Sequence, residues 1–324
     1  FGRNPQEAGD LAMICCRAAE ACQSPFMNVQ DGFLITHTIE NVLLPEHEFM
    51  KQYIGHPDDR IINLFDTERP LMTGVVQDQD SYMKGKIAQR HYYAHMKPAV
   101  IEAMKAFTEA TGRPYHLVES YRMEDAEYAL VGMGCLMETT MPTVDYMRSE
   151  QNVKVGSLNV CSYRPWPGPE IVAALKNVKA FTVMERMDDP IAPANPLMRD
   201  IKASFMGAML GLEEYREAGI TVNKLPLPKM LECSAGLGSR DVRPGHFIGL
   251  VQNMRHAVEG NGHKEYCTVG IKHETAVEPP IDPDVRPEGA FSMRGHSIGG
   301  YGSVTTNKVI ATLMGDLFGL HAQA

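Results

Sequence analysis

Apolar residues recur every three to four positions between Asn4 and about Gln23, with Leu11, Ile14, Cys15 and Ala18 on one face, and this spacing predicts an amphipathic helix. Its start carries a capping Asn4, Pro5 at the first helical position and Glu7 three residues after the cap. Ser24-Pro25 breaks the period, and Phe26-Met27-Asn28-Val29 reads as a short buried strand that Asp31-Gly32 ends. Thr36-His37-Thr38-Ile39-Glu40 reads as the start of a second helix, and residues 55–79 as loop. A helical stretch from about Asp80 to Ala110 is expected to be interrupted at Pro98 and stopped by Thr111-Gly112-Arg113-Pro114.

Beyond residue 114 the rhythm changes. After a lead-in at His116-Leu117-Val118-Glu119, strands are expected at 128–133, 153–160 and 180–184, alternating with helices at about 135–148 and 169–175. That alternation predicts an α/β fold, a parallel sheet covered by helices on both faces, with active loops beyond the carboxyl ends of the strands. The proline-rich stretch 275–288 has linker composition. A strand at Ala290–Arg294, a glycine loop from Gly295 to Gly302 and a helix from Ser303 to Leu317 follow.

At 324 residues the chain is long enough for about two domains. With 44% hydrophobic and 22% charged residues it has the balance of a soluble globular protein. No run of about 18 apolar residues occurs, so no membrane span is expected. A net charge of −9 opposes the electrostatic attraction that drives nucleic-acid binding, which excludes that class of partner. The seven Cys are odd in number and contain no Cys-x-x-Cys, which fits reduced thiols in a cytoplasmic protein and gives this chain no iron–sulfur or zinc site. The first residue is Phe and the last helix stops without a Gly or Pro, so both ends are expected to be cut from something longer.

Several motifs carry candidate chemistry beside plainer roles. The glycines at 295, 299, 300 and 302, leading into Ser303 at a helix start, allow close backbone approach to a phosphate or diphosphate, and serve equally as a tight strand-to-helix turn. Arg164 could bind an anion beyond the sheet edge or pair with a carboxylate such as Glu170. Asp188-Asp189 behind Glu185-Arg186 could hold Mg²⁺ or form a solvated loop. The 12 His show no metal-ligand spacing, and Ser239 lacks the second Gly of a nucleophile elbow. No catalytic or metal-binding residue is assigned.

Asn4-Pro5-Gln6-Glu7, Asp31-Gly32-Phe33 and Thr36-His37 resemble the second half of the first domain of pyruvate:ferredoxin oxidoreductases. Tyr163-Arg164-Pro165, Val183-Met184-Glu185-Arg186 and Gly236-Leu237-Gly238-Ser239 are similar to that family's transketolase-C-terminal-like domain. Gly299-Gly300-Tyr301-Gly302 with Thr305 and Lys308 resembles the opening of its gamma-type domain. The resemblance implies a transketolase-like architecture with a pyrimidine-type half-domain over 1–118, the second domain over 119–274, a linker over 275–288 and the gamma-type start over 289–324. It also implies thiamine-dependent, coenzyme A-dependent oxidative decarboxylation of a 2-oxoacid, with electrons passing through iron–sulfur clusters to ferredoxin or flavodoxin. Other domains or subunits would carry thiamine diphosphate with Mg²⁺ and the clusters, within a homodimer or hetero-oligomer, and this chain alone would bind none of these cofactors. Asp31, Thr36 and His37 would wall the substrate pocket without transferring a proton, while Gly295, Gly299, Gly300, Gly302 and Ser303 would bind the coenzyme A diphosphate. The alternative is a non-catalytic scaffold or adaptor that kept the fold.

Overall fold

The computed structural model describes residues 1–62, 64–222, 226–290, 298, 300–319 and 322–323, which divide into two compact units. Residues 6–29 and 43–116 form a helical unit. Its first helix, α1 (Pro5–Cys22), buries Leu11, Ile14 and Ala18 of the stripe expected from the sequence and also Cys22, while Cys15 is only partly covered. Asp10 on that helix is also buried; it accepts hydrogen bonds from Arg113 Nε at 2.6 Å and Tyr115 Oη at 2.7 Å, which satisfies the buried charge. Helix α2 (His47–Ile54) contributes Tyr53, whose ring lies edge-on to Phe107 at 5.3 Å and whose hydroxyl donates to Ala103 O at 2.7 Å.

The long helical stretch is three helices, α3 (Tyr82–Ala88), α4 (Arg90–Ala94) and α5 (Met96–Thr111). The breaks fall at Gln89 and His95, not at Pro98. Pro98 stands in the first turn of α5, where a missing N–H has no intrahelical acceptor to disappoint, so it helps to start the helix. Gly112, at φ 74°, ends α5 in the left-handed conformation. The strand expected at Phe26–Val29 does not form: these residues lack a ladder partner, Met27 is exposed, and Asn28 Nδ2 donates to Ala8 O instead.

The other unit comprises residues 1–5, 30–42 and 117–324. The helix expected from Thr36 is absent. A turn over 32–37 leads into the two-residue strand β1 (Thr38–Ile39), because Thr36 and Thr38 spend their hydroxyls on local turn bonds, Thr38 Oγ1 donating to Leu34 O at 2.7 Å.

The main sheet contains β2 (Val118–Tyr121), β3 (Tyr128–Gly132), β4 (Val155–Val160), β5 (Ala180–Glu185), β6 (Lys229–Ser234) and β7 (Tyr266–Thr268), in the order β2-β4-β3-β5-β6-β7. All neighbours are parallel except β2, an antiparallel edge strand where the sequence predicts only a lead-in. Strands β3, β4 and β5 are buried at every residue, as a sheet covered on both faces requires.

One face packs against α6 (Leu136–Gln151) and α10 (Pro244–Glu259) through Met137, Val144, Met147, Phe247 and Met254. The other packs against α7 (Gly168–Leu175) and α8 (Pro196–Leu210) through Ile171, Leu175, Ile201 and Phe205, and α9 (Glu213–Glu217) adds Tyr215. The proline-rich stretch is laid along α10: Gly245 N donates to Asp282 Oδ1 at 2.9 Å, and a Cβ at Gly249 would lie 3.1 Å from Glu278 O. Helix α11 (Ser303–Phe318) buries only Ala311 among its described residues, and β8 (Ala322–Gln323) pairs antiparallel with β1.

Candidate functional site at the carboxyl edge of the sheet

Three neighbouring parallel strands, β3, β5 and β6, end side by side and deliver Cys135, Arg186 and Gly236 to one place. Arg186 Nη1 donates to Gly236 O at 2.5 Å and Nη2 to Cys135 Sγ at 3.1 Å. The loop after residue 30 inserts Asp31 among them. Its Oδ2 accepts the Cys135 backbone N–H at 2.7 Å at the start of α6, and Oδ1 lies 3.0 Å from Arg186 Nε. That second contact is Coulombic, since the buried Nε–H is not aimed along it. Both side chains are about four-fifths buried, with 20% of Arg186 and 18% of Asp31 exposed.

Two glycines make room for this latch. Gly134 has φ 70°, and a Cβ there would sit 2.5 Å from Asp31 Oδ2; a Cβ on Gly236, at φ 71°, would collide with the Arg186 guanidinium. Burial, reinforced by the Asp31 carboxylate and against the pull of Arg186, pushes the Cys135 thiol up to about 12. The thiol therefore stays neutral at physiological pH, and the latch holds no ready nucleophile.

Beside the latch lies a cleft of about 250 Å³ lined by the guanidinium-bearing side chains Arg3, Arg186 and Arg240 and by Asn4, Thr38 and Thr139. Glu40, Glu138 and Asp241 also line it, so the formal charges balance and the cleft suits a small polar molecule better than a bare anion. Arg3 pairs with Glu119 at 2.8 Å and Arg240 Nε donates to Gly270 O at 2.6 Å, which fixes both at the rim.

Of the three residues expected at a substrate pocket, Asp31 is the anchor of the latch. Thr36 and His37 pair with each other instead. Thr36 Oγ1 accepts the Phe33 N–H at 3.0 Å and lies 2.9 Å from His37 Nδ1, and the His37 ring stacks on Phe33 at 4.6 Å. Phe33 takes φ 60°, a strained conformation for an aromatic residue, and is 68% exposed. Gly300 (φ 88°) and Gly302 (φ 79°) precede α11 in the left-handed region, with Gly302 at its N-cap and Ser303 its first residue. Gly295 and Gly299 lie outside the described residues, as does most of the strand expected at Ala290–Arg294.

The other candidates have protein partners. Arg164 pairs with Asp200 at 2.8 Å rather than with Glu170 and lies over the Tyr163 ring, because α8 brings Asp200 beside the loop. Asp188 accepts from Tyr266 Oη at 3.0 Å, and Asp189 pairs with Arg199 at 3.3 Å. Among the described residues no group of three or more His, Cys, Asp or Glu side chains is placed to hold a metal ion, and no Mg²⁺–diphosphate ligand set is assigned to them. Sequence reasoning missed Arg186 and Cys135 as partners of Asp31. They lie more than 100 residues from it, and nothing local marks them.

Two family profiles match the chain. "Pyruvate flavodoxin/ferredoxin oxidoreductase, thiamine diP-bdg" covers residues 1–105, and "Pyruvate:ferredoxin oxidoreductase core domain II" covers residues 126–215. Similar proteins include the pyruvate synthase subunit PorA of Pyrococcus horikoshii, 30% identical over 85% of this chain and 65% of its own length. The PorA of Thermotoga maritima is 32% identical over 81% of this chain and 62% of its own. The pyruvate-flavodoxin oxidoreductase of Enterobacter agglomerans is 27% identical over 98% of this chain, which spans only 26% of that protein. The two profiles fall on the same parts of the chain as the Asp31-Gly32-Phe33 and Val183–Arg186 motifs, and the chain belongs to the pyruvate:ferredoxin oxidoreductase family as a segment of it.

Proposed function

We propose that the chain is part of a 2-oxoacid:ferredoxin oxidoreductase of the pyruvate synthase type, within a multi-subunit or multi-domain assembly in the cytoplasm. The observation that carries this reading is the likeness to pyruvate synthase subunits at 30% and 32% identity over more than four-fifths of the chain. In the whole enzyme, thiamine diphosphate with Mg²⁺ would supply an electron sink at the keto carbon, iron–sulfur clusters the route to ferredoxin or flavodoxin, and coenzyme A the acyl-accepting thiol.

This chain's own share is positional. The Asp31–Arg186 pair fixes the loop 31–37 on the edge of the sheet, so that Phe33, Thr36 and His37 are presented as one preformed turn toward the substrate pocket. The positive-φ glycines before α11 support a coenzyme A diphosphate site in a gamma-type domain beginning near 289, with residues 1–118 and 119–274 belonging to the two preceding domains.

The test is pyruvate-dependent, coenzyme A-requiring reduction of ferredoxin by the whole enzyme, in native form and with Asp31→Asn. Activity with a several-fold change in the 2-oxoacid KM or in turnover is the expected result. A whole enzyme with no 2-oxoacid activity overturns the reading; unchanged kinetics and stability in the variant remove the pocket role alone.

A further inference from the structure

The seven cysteines are scattered along the sequence, yet the sheet brings two of them side by side. Cys233 on β6 and Cys267 on β7 are direct partners in the parallel register, between the pairs Glu232–Tyr266 and Ser234–Thr268. Both lie in the apolar cluster that includes Phe247 and Val269, on one face of the sheet, and neither has any exposed surface. Among the described residues no other two cysteines are matched in the ladder. Neighbouring strands run about 4.8 Å apart, and a disulfide spans Cα atoms about 4.4–6.8 Å apart, so the backbone already stands within bridging distance.

What keeps the pair reduced is its surroundings. Contact with the Cys267 thiol first, and burial second, push the Cys233 thiol well above its usual range. A buried neutral thiol is a poor nucleophile, so the pair is inert while the sheet is closed. Access then depends on β7. That strand is three residues long and stands at the edge of the sheet, and Tyr266 and Thr268 on either side of Cys267 are already part-exposed. A short edge element opens locally at lower cost than the strands inside it.

We propose that Cys233 and Cys267 form a peroxide-sensitive dithiol whose disulfide fastens the edge strand β7 to β6. When β7 opens, one thiolate of the pair attacks an oxygen of hydrogen peroxide; the O–O bond breaks, the departing hydroxide takes up a proton as water, and a sulfenic acid remains. The facing sulfur attacks that sulfenic sulfur, the S–S bond forms, the S–O bond breaks and a second water leaves. The two thiols give up two electrons and two protons, and peroxide is reduced to two waters. Once bridged, β7 can no longer part from β6. The inference rests on the sheet alone, and the 2-oxoacid reading neither needs it nor fails with it.

The test is incubation of the full 324-residue chain with hydrogen peroxide, alkylation of the remaining thiols with iodoacetamide in denaturant, and peptide mass without reductant. The expected result is a peptide pair linked through Cys233 and Cys267 that dithiothreitol separates, with hydrogen exchange at the β7 amides slowed about tenfold or more in the oxidised chain. Four results each overturn the proposal: both cysteines still free for alkylation, either one bridged to a different cysteine, each carried singly to a sulfinic or sulfonic acid, or a bridge that leaves β7 exchange unchanged. Should peroxide cost the chain its helical circular dichroism, diamide replaces it. That reagent accepts the same two electrons and two protons from a dithiol, and the same results decide.

Discussion

At the scale of single residues, the chemistry at the sheet edge is governed by one carboxylate. Asp31 neutralises a largely buried guanidinium, accepts the backbone N–H of Cys135 just ahead of α6 and adds to the burial that keeps the Cys135 thiol protonated. The thiol pKa is raised by burial first and by Asp31 second, with Arg186 acting against both. Asp31→Asn removes the second contribution and leaves Arg186 unopposed, so the thiol must become more acidic. Alkylation of Cys135 by iodoacetamide, followed by peptide mass, should show a rate midpoint at lower pH than in the native chain and several-fold faster labelling at mildly alkaline pH, while exposed Cys16 is unchanged. An unmoved midpoint would mean that burial alone sets the thiol. None of this was legible in the sequence, where Asp31 reads as a strand-ending turn residue and Cys135 as an isolated thiol, because the contact depends on how the loop 30–42 is laid on the sheet.

At the scale of elements, legibility followed burial. Strands β3, β4 and β5 are mostly apolar and buried at every residue because both their faces are covered, and their expected bounds agree with the structure to within two residues. Strand β2 carries a weaker signal since it lies at the edge, part-exposed, with polar Glu119 and Ser120 at its centre. Phe26–Val29 has the composition of a strand but no neighbour to pair with. The glycine turn before α11 is a case where local backbone carries the expectation. Among the described residues no heavy atom lies within 4 Å of a Cβ built on Gly300, so a side chain there meets space and its cost is conformational, at φ 88°. Gly300→Val should therefore redirect the turn without disturbing a core. In the whole enzyme it is expected to raise the coenzyme A KM several-fold and to spare the coenzyme A-independent half-reaction; a parallel loss of both would identify the turn as structural.

At the scale of the whole molecule, the two units differ in what holds them. The sheet unit has apolar clusters on both faces of six strands, whereas the helical unit gathers its core around α1, Tyr53 and Phe107 and, among the described residues of 54–99, buries no side chain. Local stability tracks such burial, and segments lacking it open at little free-energy cost. Limited proteolysis with trypsin should therefore cut first at Lys84, Lys86 or Arg90, while β3 to β6 survive until global unfolding. Cleavage that begins within β3 to β6 before the segment 84–90 is cut would show that the segment is held as firmly as the sheet.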